Sequence, residues 1–228
     1  MSVPGRATPP TARADRIRGV VFDLDGTLID SWTLHQRCLR YAATATGGAE
    51  PSAARLALAQ RPTDTDTLRA LVGEAALADA TRAYRRALRN DLRAPATARG
   101  LAVPYAHQIL ALLRDRGLVT GVCTGRSRQD AQALLDASGL GVDLSIARED
   151  APRPKPAPDG LLRALQLLGL RPDEALYVGD TQADARQGGS AGVRTLLLQG
   201  PGSAPGTRAA PLLASLRDLS AYLRKADT

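Results

Sequence analysis

The sequence predicts an α/β protein: a Rossmann-like parallel sheet core with helices on both faces, plus an inserted all-α cap domain. Three observations lead to this prediction. Short apolar runs alternate with helix-length segments from residue 105 to 223, the order typical of parallel strands joined by right-handed crossovers. Before them, residues 32–92 have helical spacing and no convincing strand. Polar motifs directly follow several apolar runs, and ligands of open parallel sheets bind at such strand ends.

The first element is a strand over residues 17–22, where the apolar run Val20-Val21-Phe22 is typical of a buried strand. A helical block follows, in which Gly47-Gly48 ends the first helix and Ser52 opens the second. Its helices are predicted over residues 33–45, 52–61, 63–71 and 74–92. Because this block interrupts the strand–helix alternation, it is predicted to be an insertion.

The second half of the chain begins after a looser connector at residues 93–104. Strands are predicted at 118–123, 144–147, 175–178 and 193–198. Helices are predicted at 105–116, 127–138, 158–168, 183–191 and 212–223, with a Gly/Pro/Ala loop at 200–211. Glycine directly follows four of these helices, as is common at helix ends. The resulting organisation is a disordered tail (1–16), a core (17–30 and 103–228) and a helical cap (31–102).

Composition limits the classes of function. The net charge is +7, but the arginines are scattered over helix-like segments without an aromatic-basic cluster. This favours an arginine-rich surface that attracts anions over a nucleic-acid interface, and an anionic small substrate fits that charge. The two cysteines are far apart, and the N-terminus has no apolar run. We therefore predict a cytoplasmic protein, a monomer or homodimer, with no nucleic-acid or membrane partner.

The most informative motif is Asp23-Leu24-Asp25-Gly26-Thr27, at the end of the first strand. Two carboxylates at the same strand end repel each other, so a structural or chemical reason for placing them together is expected. A divalent cation supplies one, because hard cations take carboxylate and carbonyl oxygens. A nucleophile beside an acid/base supplies another. An ordinary turn remains the alternative, since Asp and Gly are common there.

Other strand ends add complementary groups. Thr124 and Gly125 follow one strand, Asp180 and Asp184 follow another, and Lys155 precedes a helix in a chain with one other lysine. Each of these groups alone also has an ordinary structural explanation: Thr124 and Gly125 can form a turn, Asp180 and Asp184 can cap a helix, and Lys155 can be a surface lysine. Together they predict a phosphate site in which carboxylates hold Mg²⁺, while a hydroxyl, an amide and an ammonium bind the phosphate.

These motifs resemble the four motifs of haloacid dehalogenase-like hydrolases, in the phosphoglycolate phosphatase-like branch. The resemblance runs from Asp23-Leu24-Asp25-Gly26-Thr27 through Thr124 and Lys155 to Gly179-Asp180-Thr181-x-x-Asp184, and it covers nearly all of residues 17–223. It implies a magnesium-dependent phosphatase that acts on a small phosphorylated metabolite, such as a sugar phosphate or phosphoglycolate. The implied cap closes over the substrate and excludes water.

The resemblance also implies a role for each matching residue. Asp23 is the nucleophile that forms an aspartyl-phosphate, Asp25 is the acid/base, and Lys155 orients Asp23 and binds phosphate. Thr124 and Gly125 bind the phosphoryl group. The implied metal ligands are Asp23, Asp25 through its carbonyl, Asp180 and Asp184.

Two departures from the family pattern concern the substrate. Residues 99–104 stand where relatives usually have a Pro-Gly-Val turn, and Gly125-Arg126 follows the motif threonine, where relatives often have Asn. Arg126 is a candidate substrate contact or, alternatively, a surface arginine at a helix start, and Arg61 in a candidate cap loop is a second candidate substrate contact. A phosphosugar mutase with the same catalytic residues and a non-enzymatic phosphate-binding module are the alternatives. Trp32 and Cys38 are predicted to pack within the cap, and His35 and His107 to be structural.

Overall fold

The structure, a computed structural model, describes residues 17–61, 63–200 and 210–226. Its centre is a six-stranded sheet in the order β3-β2-β1-β4-β5-β6, with every neighbouring pair parallel. The strands are β1 (Gly19–Phe22), β2 (Val119–Cys123), β3 (Leu144–Ile146), β4 (Ala175–Gly179), β5 (Arg194–Leu198) and β6 (Leu212–Leu213). The predicted fold class is confirmed, whereas the predicted disordered tail lies outside the described residues.

Five helices between β1 and β2 form the cap. They are α1 (Trp32–Ala45), α2 (Ala53–Ala59), α3 (Asp64–Val72), α4 (Leu77–Leu92) and α5 (Pro95–Arg99). Ser52 and Thr63 cap α2 and α3 by accepting hydrogen bonds from backbone N–H groups of the first turn. Leu39 of α1 and Leu88 of α4 belong to the same buried apolar cluster as strand residue Phe22. The cap therefore shares its apolar core with one face of the sheet.

The remaining helices cover both faces of the sheet. They are α6 (Ala106–Asp115), α7 (Arg128–Ser138), α8 (Asp159–Leu168), α9 (Gln182–Ala191) and α10 (Leu216–Ala226). Successive side chains of β1 point to opposite faces: Val20 and Phe22 pack with α6, α7 and α10, while Val21 packs with α8 and α9. Among the described residues, no helix has both the length and the apolar character needed to cross a bilayer.

Three predictions of local structure were wrong. The connector at residues 93–104 contains the short helix α5, and the first residues of the predicted final helix form strand β6. An apolar Leu-Leu pair suits either structure, and its parallel pairing with β5 is a long-range contact that the local pattern does not reveal. Trp32 is 48% exposed, so it does not pack inside the cap as predicted, whereas Cys38 is fully buried.

The topology places several strand ends side by side. From the central strand β1 the chain runs outward through β2 and β3, then returns to the other side of β1 at β4. Crevices of open α/β sheets lie at such reversals, beyond the carboxyl ends of the strands. The predicted polar motifs lie at this edge.

Candidate active site

The loop after β1 brings two aspartates to the carboxyl edge of the sheet. The backbone N–H of Asp23 donates to the carbonyl of Val178 at 2.7 Å, which fixes Asp23 beside the end of β4. The chain then turns at Gly26, whose φ of +76° favours glycine. A Cβ at Gly26 would overlap the carboxylate of Asp180. The glycine therefore allows Asp180 to approach the turn.

Asp23, Asp180 and Asp184 form an acidic cluster. Each offers an oxygen, and these oxygens lie within 4.8 Å of one another. Burial raises the pKa of Asp180 to about 7, and the neighbouring Asp184 carboxylate adds to the increase. Burial likewise raises the pKa of Asp23 well above its usual value, although Lys155 opposes this effect. A hard cation would relieve the repulsion, so this donor set fits Mg²⁺.

Lys155 neutralises part of this cluster. Its Nζ lies 2.6 Å from Oδ1 of Asp23 and 2.7 Å from Oδ1 of Asp184. Tyr177 and Thr181 also donate hydrogen bonds to Asp184. Burial alone would raise the pKa of Asp184, but the Lys155 ammonium and these hydrogen bonds hold it below its usual value. Asp184 is therefore an ionised partner of Lys155, and Lys155 orients the Asp23 carboxylate.

The second aspartate of the motif is held by Arg126. Nη2 of Arg126 lies 2.7 Å from Oδ1 of Asp25, and Nε lies 2.9 Å from Oδ1 and 2.7 Å from Oδ2. Ser31 also donates a hydrogen bond to Oδ1. Burial would raise the pKa of Asp25, but Arg126 and Ser31 hold it below its usual value. Asp25 is thus an anchored carboxylate, and most of its hydrogen bonds fall on Oδ1.

Arg126 also reaches the cap. Its Nη1 donates to the hydroxyl of Tyr84 on α4 at 2.7 Å and to Oδ2 of Asp64 at the start of α3 at 3.2 Å. The Tyr84 hydroxyl lies 2.7 Å from Nδ1 of His35 on α1. Arg126 is only 4% exposed, so its guanidinium is enclosed between the two domains.

The loop that the sequence predicts to bind phosphate lies between β2 and α7. Thr124 is buried, and its Oγ1 accepts a hydrogen bond from the Arg126 backbone N–H at 3.2 Å. Ser127 caps α7 by accepting from the Asp130 N–H. The N-terminal end of α7 therefore lies beside Thr124 and Gly125, where helix amides favour an anion.

The predicted site residues do not all come together. Neighbouring loops of the core carry Asp23, Asp25, Thr124, Lys155 and Asp180, and the first turn of α9 carries Asp184. Gly125 and Arg126 continue the loop that holds Thr124. Arg61 is exposed, and its Nη1 donates to the carbonyls of Leu58 and Gln60 in its own cap segment. The structure therefore does not bring Arg61 into this cluster.

Four residues near Asp25 were missed as site residues: Ser31, His35, Asp64 and Tyr84. Two weak signals were present in the sequence: Ser31 follows the first motif, and Asp64 lies close to the candidate cap loop. Tyr84 lies within a regular amphipathic helix, and nothing in the local pattern separates it from an ordinary packing residue.

Comparisons with known proteins agree with this geometry. A model of the haloacid dehalogenase-like hydrolases matches residues 17–192. The chain is 30% identical to hexitol phosphatase A of Escherichia coli over 191 residues, covering 83% of this chain and 87% of the relative. It is also 30% identical to phosphoglycolate phosphatase of Rhodospirillum rubrum over 202 residues, covering 79% of each chain.

A solved structure supports the fold. The crystal structure of a predicted phosphoglycolate phosphatase from Haemophilus somnus 129PT matches with a TM-score of 0.77 at 21% identity, covering 90% of this chain and 97% of the other.

Proposed function

The chain belongs to the haloacid dehalogenase-like hydrolases, and we propose that it is a magnesium-dependent phosphatase for a small organic phosphomonoester. As a member of this family it is a hydrolase of phosphoric monoesters. The observation that carries the proposal is the cluster of Asp23, Lys155, Asp180 and Asp184, in which a buried nucleophile, an ammonium and two further carboxylates meet. A phosphate monoester is an anion of the kind that this ammonium, together with a bound cation, would attract.

In the proposed first half-reaction, an oxygen of Asp23 attacks phosphorus and the bond to the leaving alcohol breaks. Lys155 aims the attacking carboxylate, and Thr124 with the Gly125 amide holds the phosphoryl oxygens. Asp25 enters this half-reaction protonated, gives its proton to the departing alkoxide, and is left as the carboxylate that Arg126 and Ser31 stabilise. Bound Mg²⁺ would be held by Asp23, Asp180, Asp184 and the carbonyl of Asp25, and would stabilise the charge that develops on the phosphoryl group.

In the proposed second half-reaction, Asp25 removes a proton from a water molecule that attacks the aspartyl-phosphate. Inorganic phosphate leaves and the Asp23 carboxylate is restored. The ionised Asp25 held by Arg126 is the form this step requires. Since Oδ1 is anchored by both Arg126 and Ser31, we assign proton transfer in both halves to Oδ2, which has the Nε contact.

For the substrate we propose a small sugar or polyol phosphate, or phosphoglycolate. The two relatives, a hexitol phosphatase and a phosphoglycolate phosphatase, support this class. The cytoplasmic location and the monomeric or dimeric state stay predictions.

The test is a phosphate-release screen of the purified protein over a panel of phosphorylated metabolites, with magnesium and with EDTA. We expect release for at least one phosphomonoester, loss of release in EDTA, and loss in the Asp23→Asn variant. Isomerised sugar phosphate without net phosphate release would instead identify a mutase. Phosphate release that is absent, or unchanged by Asp23→Asn, would favour a non-enzymatic phosphate-binding module.

A further inference from the structure

Arg126 joins the acid/base to the cap through a single guanidinium group. Nε and Nη2 contact Asp25 on the core side, while Nη1 contacts Asp64 and Tyr84 on the cap side. The nitrogens of one guanidinium are therefore divided between the two domains. A planar, rigid group of this kind transmits orientation as well as charge.

The cap side of this link is itself anchored. Tyr84 lies on α4 and contacts His35 on α1 through its hydroxyl. His35 also places Nδ1 3.7 Å from Oδ1 of Asp64. Helix α1 begins directly after Ser31, which donates to Asp25. Two routes thus connect the same carboxylate to the cap: one through Arg126 and one through the chain segment that enters α1.

Opening of the cap would break one of these routes. A buried guanidinium is stable only when its N–H groups are paired, and Nη1 finds its partners on the cap. When the cap moves away, Nη1 loses both contacts, and Arg126 gains freedom to rotate away from Asp25. Closure and the orientation of Asp25 are then thermodynamically coupled, and each favours the other.

We propose that Arg126 is a positioning residue that orients the acid/base Asp25 when the cap is closed, with Asp64 and Tyr84 as its cap contacts. This rests on the proposed phosphatase function. It assigns Arg126 to a partner within the protein, where the sequence suggested a substrate contact. The closed cap then orients Asp25 in addition to excluding water.

The proposal predicts a dependence on the leaving group. Phenol is a poor leaving group that needs a proton, whereas 2,4-dinitrophenol leaves readily without one. A misplaced Asp25 therefore slows phenyl phosphate much more than 2,4-dinitrophenyl phosphate. Because kcat/KM reports the steps up to release of the alcohol, it isolates the acid role of Asp25 from the later attack by water.

The experiment measures kcat/KM for both esters, with magnesium, in Tyr84→Phe and Asp64→Asn. We expect about a tenfold loss for phenyl phosphate and less than about a twofold loss for 2,4-dinitrophenyl phosphate. Arg126→Lys, which keeps the charge but cannot bridge Asp25, Asp64 and Tyr84, should show the same selectivity. The matched control is Tyr41→Phe, which removes another cap tyrosine hydroxyl bound by an arginine, Arg86, away from Asp25.

The possible results distinguish failure of the positioning role from failure of the proposed phosphatase function. Equal losses for the two esters, or no loss for either, in Tyr84→Phe and Asp64→Asn would overturn the positioning role while leaving the phosphatase function intact. A selective loss in Tyr41→Phe would also overturn it, because any cap perturbation would then suffice. If the unaltered protein hydrolysed neither ester and also failed the metabolite screen, the proposed function would fall, and this inference with it.

Discussion

The two aspartates of the first motif lie two residues apart, yet they belong to clusters of different construction. Asp23 is held by Lys155, which also binds Asp184. All three belong to the core: Asp23 and Lys155 lie on loops, and Asp184 lies in the first turn of α9. Asp25 is held by Arg126, whose other contacts are on the cap. The contacts of the proposed nucleophile therefore lie within the core, whereas those of the proposed acid/base depend on the cap. We infer that the proposed phosphoryl transfer is prepared by the core alone, and the proposed proton transfer by closure of the cap.

Asp23→Asn should have the largest effect and should not depend on the leaving group. An amide cannot attack phosphorus, so we expect kcat to fall at least about 10⁴-fold for good and poor leaving groups alike. Phosphate release with both aryl esters measures this. Asp136→Asn on the exposed side of α7 is the control and should retain activity. Substantial turnover of 2,4-dinitrophenyl phosphate by Asp23→Asn would show that Asp23 is not the nucleophile.

Lys155→Gln should come next and affects both activity and stability. Without the ammonium, the buried Asp23 and Asp184 face each other unneutralised, which costs about 3–5 kcal/mol in the free energy of unfolding. We expect kcat to fall about 10²- to 10³-fold with either leaving group.

Urea unfolding and aryl phosphate kinetics measure these effects of Lys155→Gln. Arg153→Gln, in the same loop with an exposed ion pair to Asp159, is the control and should cost less than about 1 kcal/mol. A loss confined to phenyl phosphate in Lys155→Gln would contradict the contrast between the two clusters.

Gly26→Ala tests the close approach of the motif turn to the acidic cluster. The added methyl group would overlap the Asp180 carboxylate, at a backbone φ that disfavours alanine. We expect about 10- to 100-fold weaker magnesium binding, since displacing a metal-orienting group has effects of that size. Isothermal titration measures it. Gly189→Ala in α9, where a Cβ meets no described atom within 4 Å, should bind magnesium normally.

The acidic cluster should also make magnesium binding depend on pH. The pKa of Asp180 is raised to about 7 in the folded state, so this group destabilises the metal-free fold progressively as pH rises from about 4 to about 7. Magnesium needs the ionised carboxylate and must displace the proton that Asp180 holds below about pH 7. We expect about tenfold weaker apparent affinity at pH 6 than at pH 8, and a smaller magnesium-induced increase in Tm.

Thermal unfolding with and without magnesium at the two pH values checks this expectation. In Asp180→Asn the difference between pH 6 and pH 8 should shrink. An increase in Tm that is the same at both pH values in the unaltered protein would rule out proton competition at Asp180.

The parallel core and the arrival of the polar motifs at one of its edges could be predicted from the sequence. Apolar runs that end near Asp23, Thr124 and Asp180 were enough, because parallel strands bring their carboxyl ends to the same side whatever the loops do. The strand β6 and the helix α5 could not be predicted, because segments of two and five residues are too short to show a distinctive period.

The surroundings of Asp25, by contrast, depend on tertiary contacts between the cap and the core. Arg126 is 101 residues from Asp25 and 42 from Tyr84 along the chain, and their meeting depends on how the cap rests on the core. No local pattern records that docking, because a buried tyrosine on an amphipathic helix has the same sequence signature whether it fills a core or binds an arginine. For the same reason Arg61, which the sequence placed in a candidate substrate loop, turned out to bind its own cap backbone.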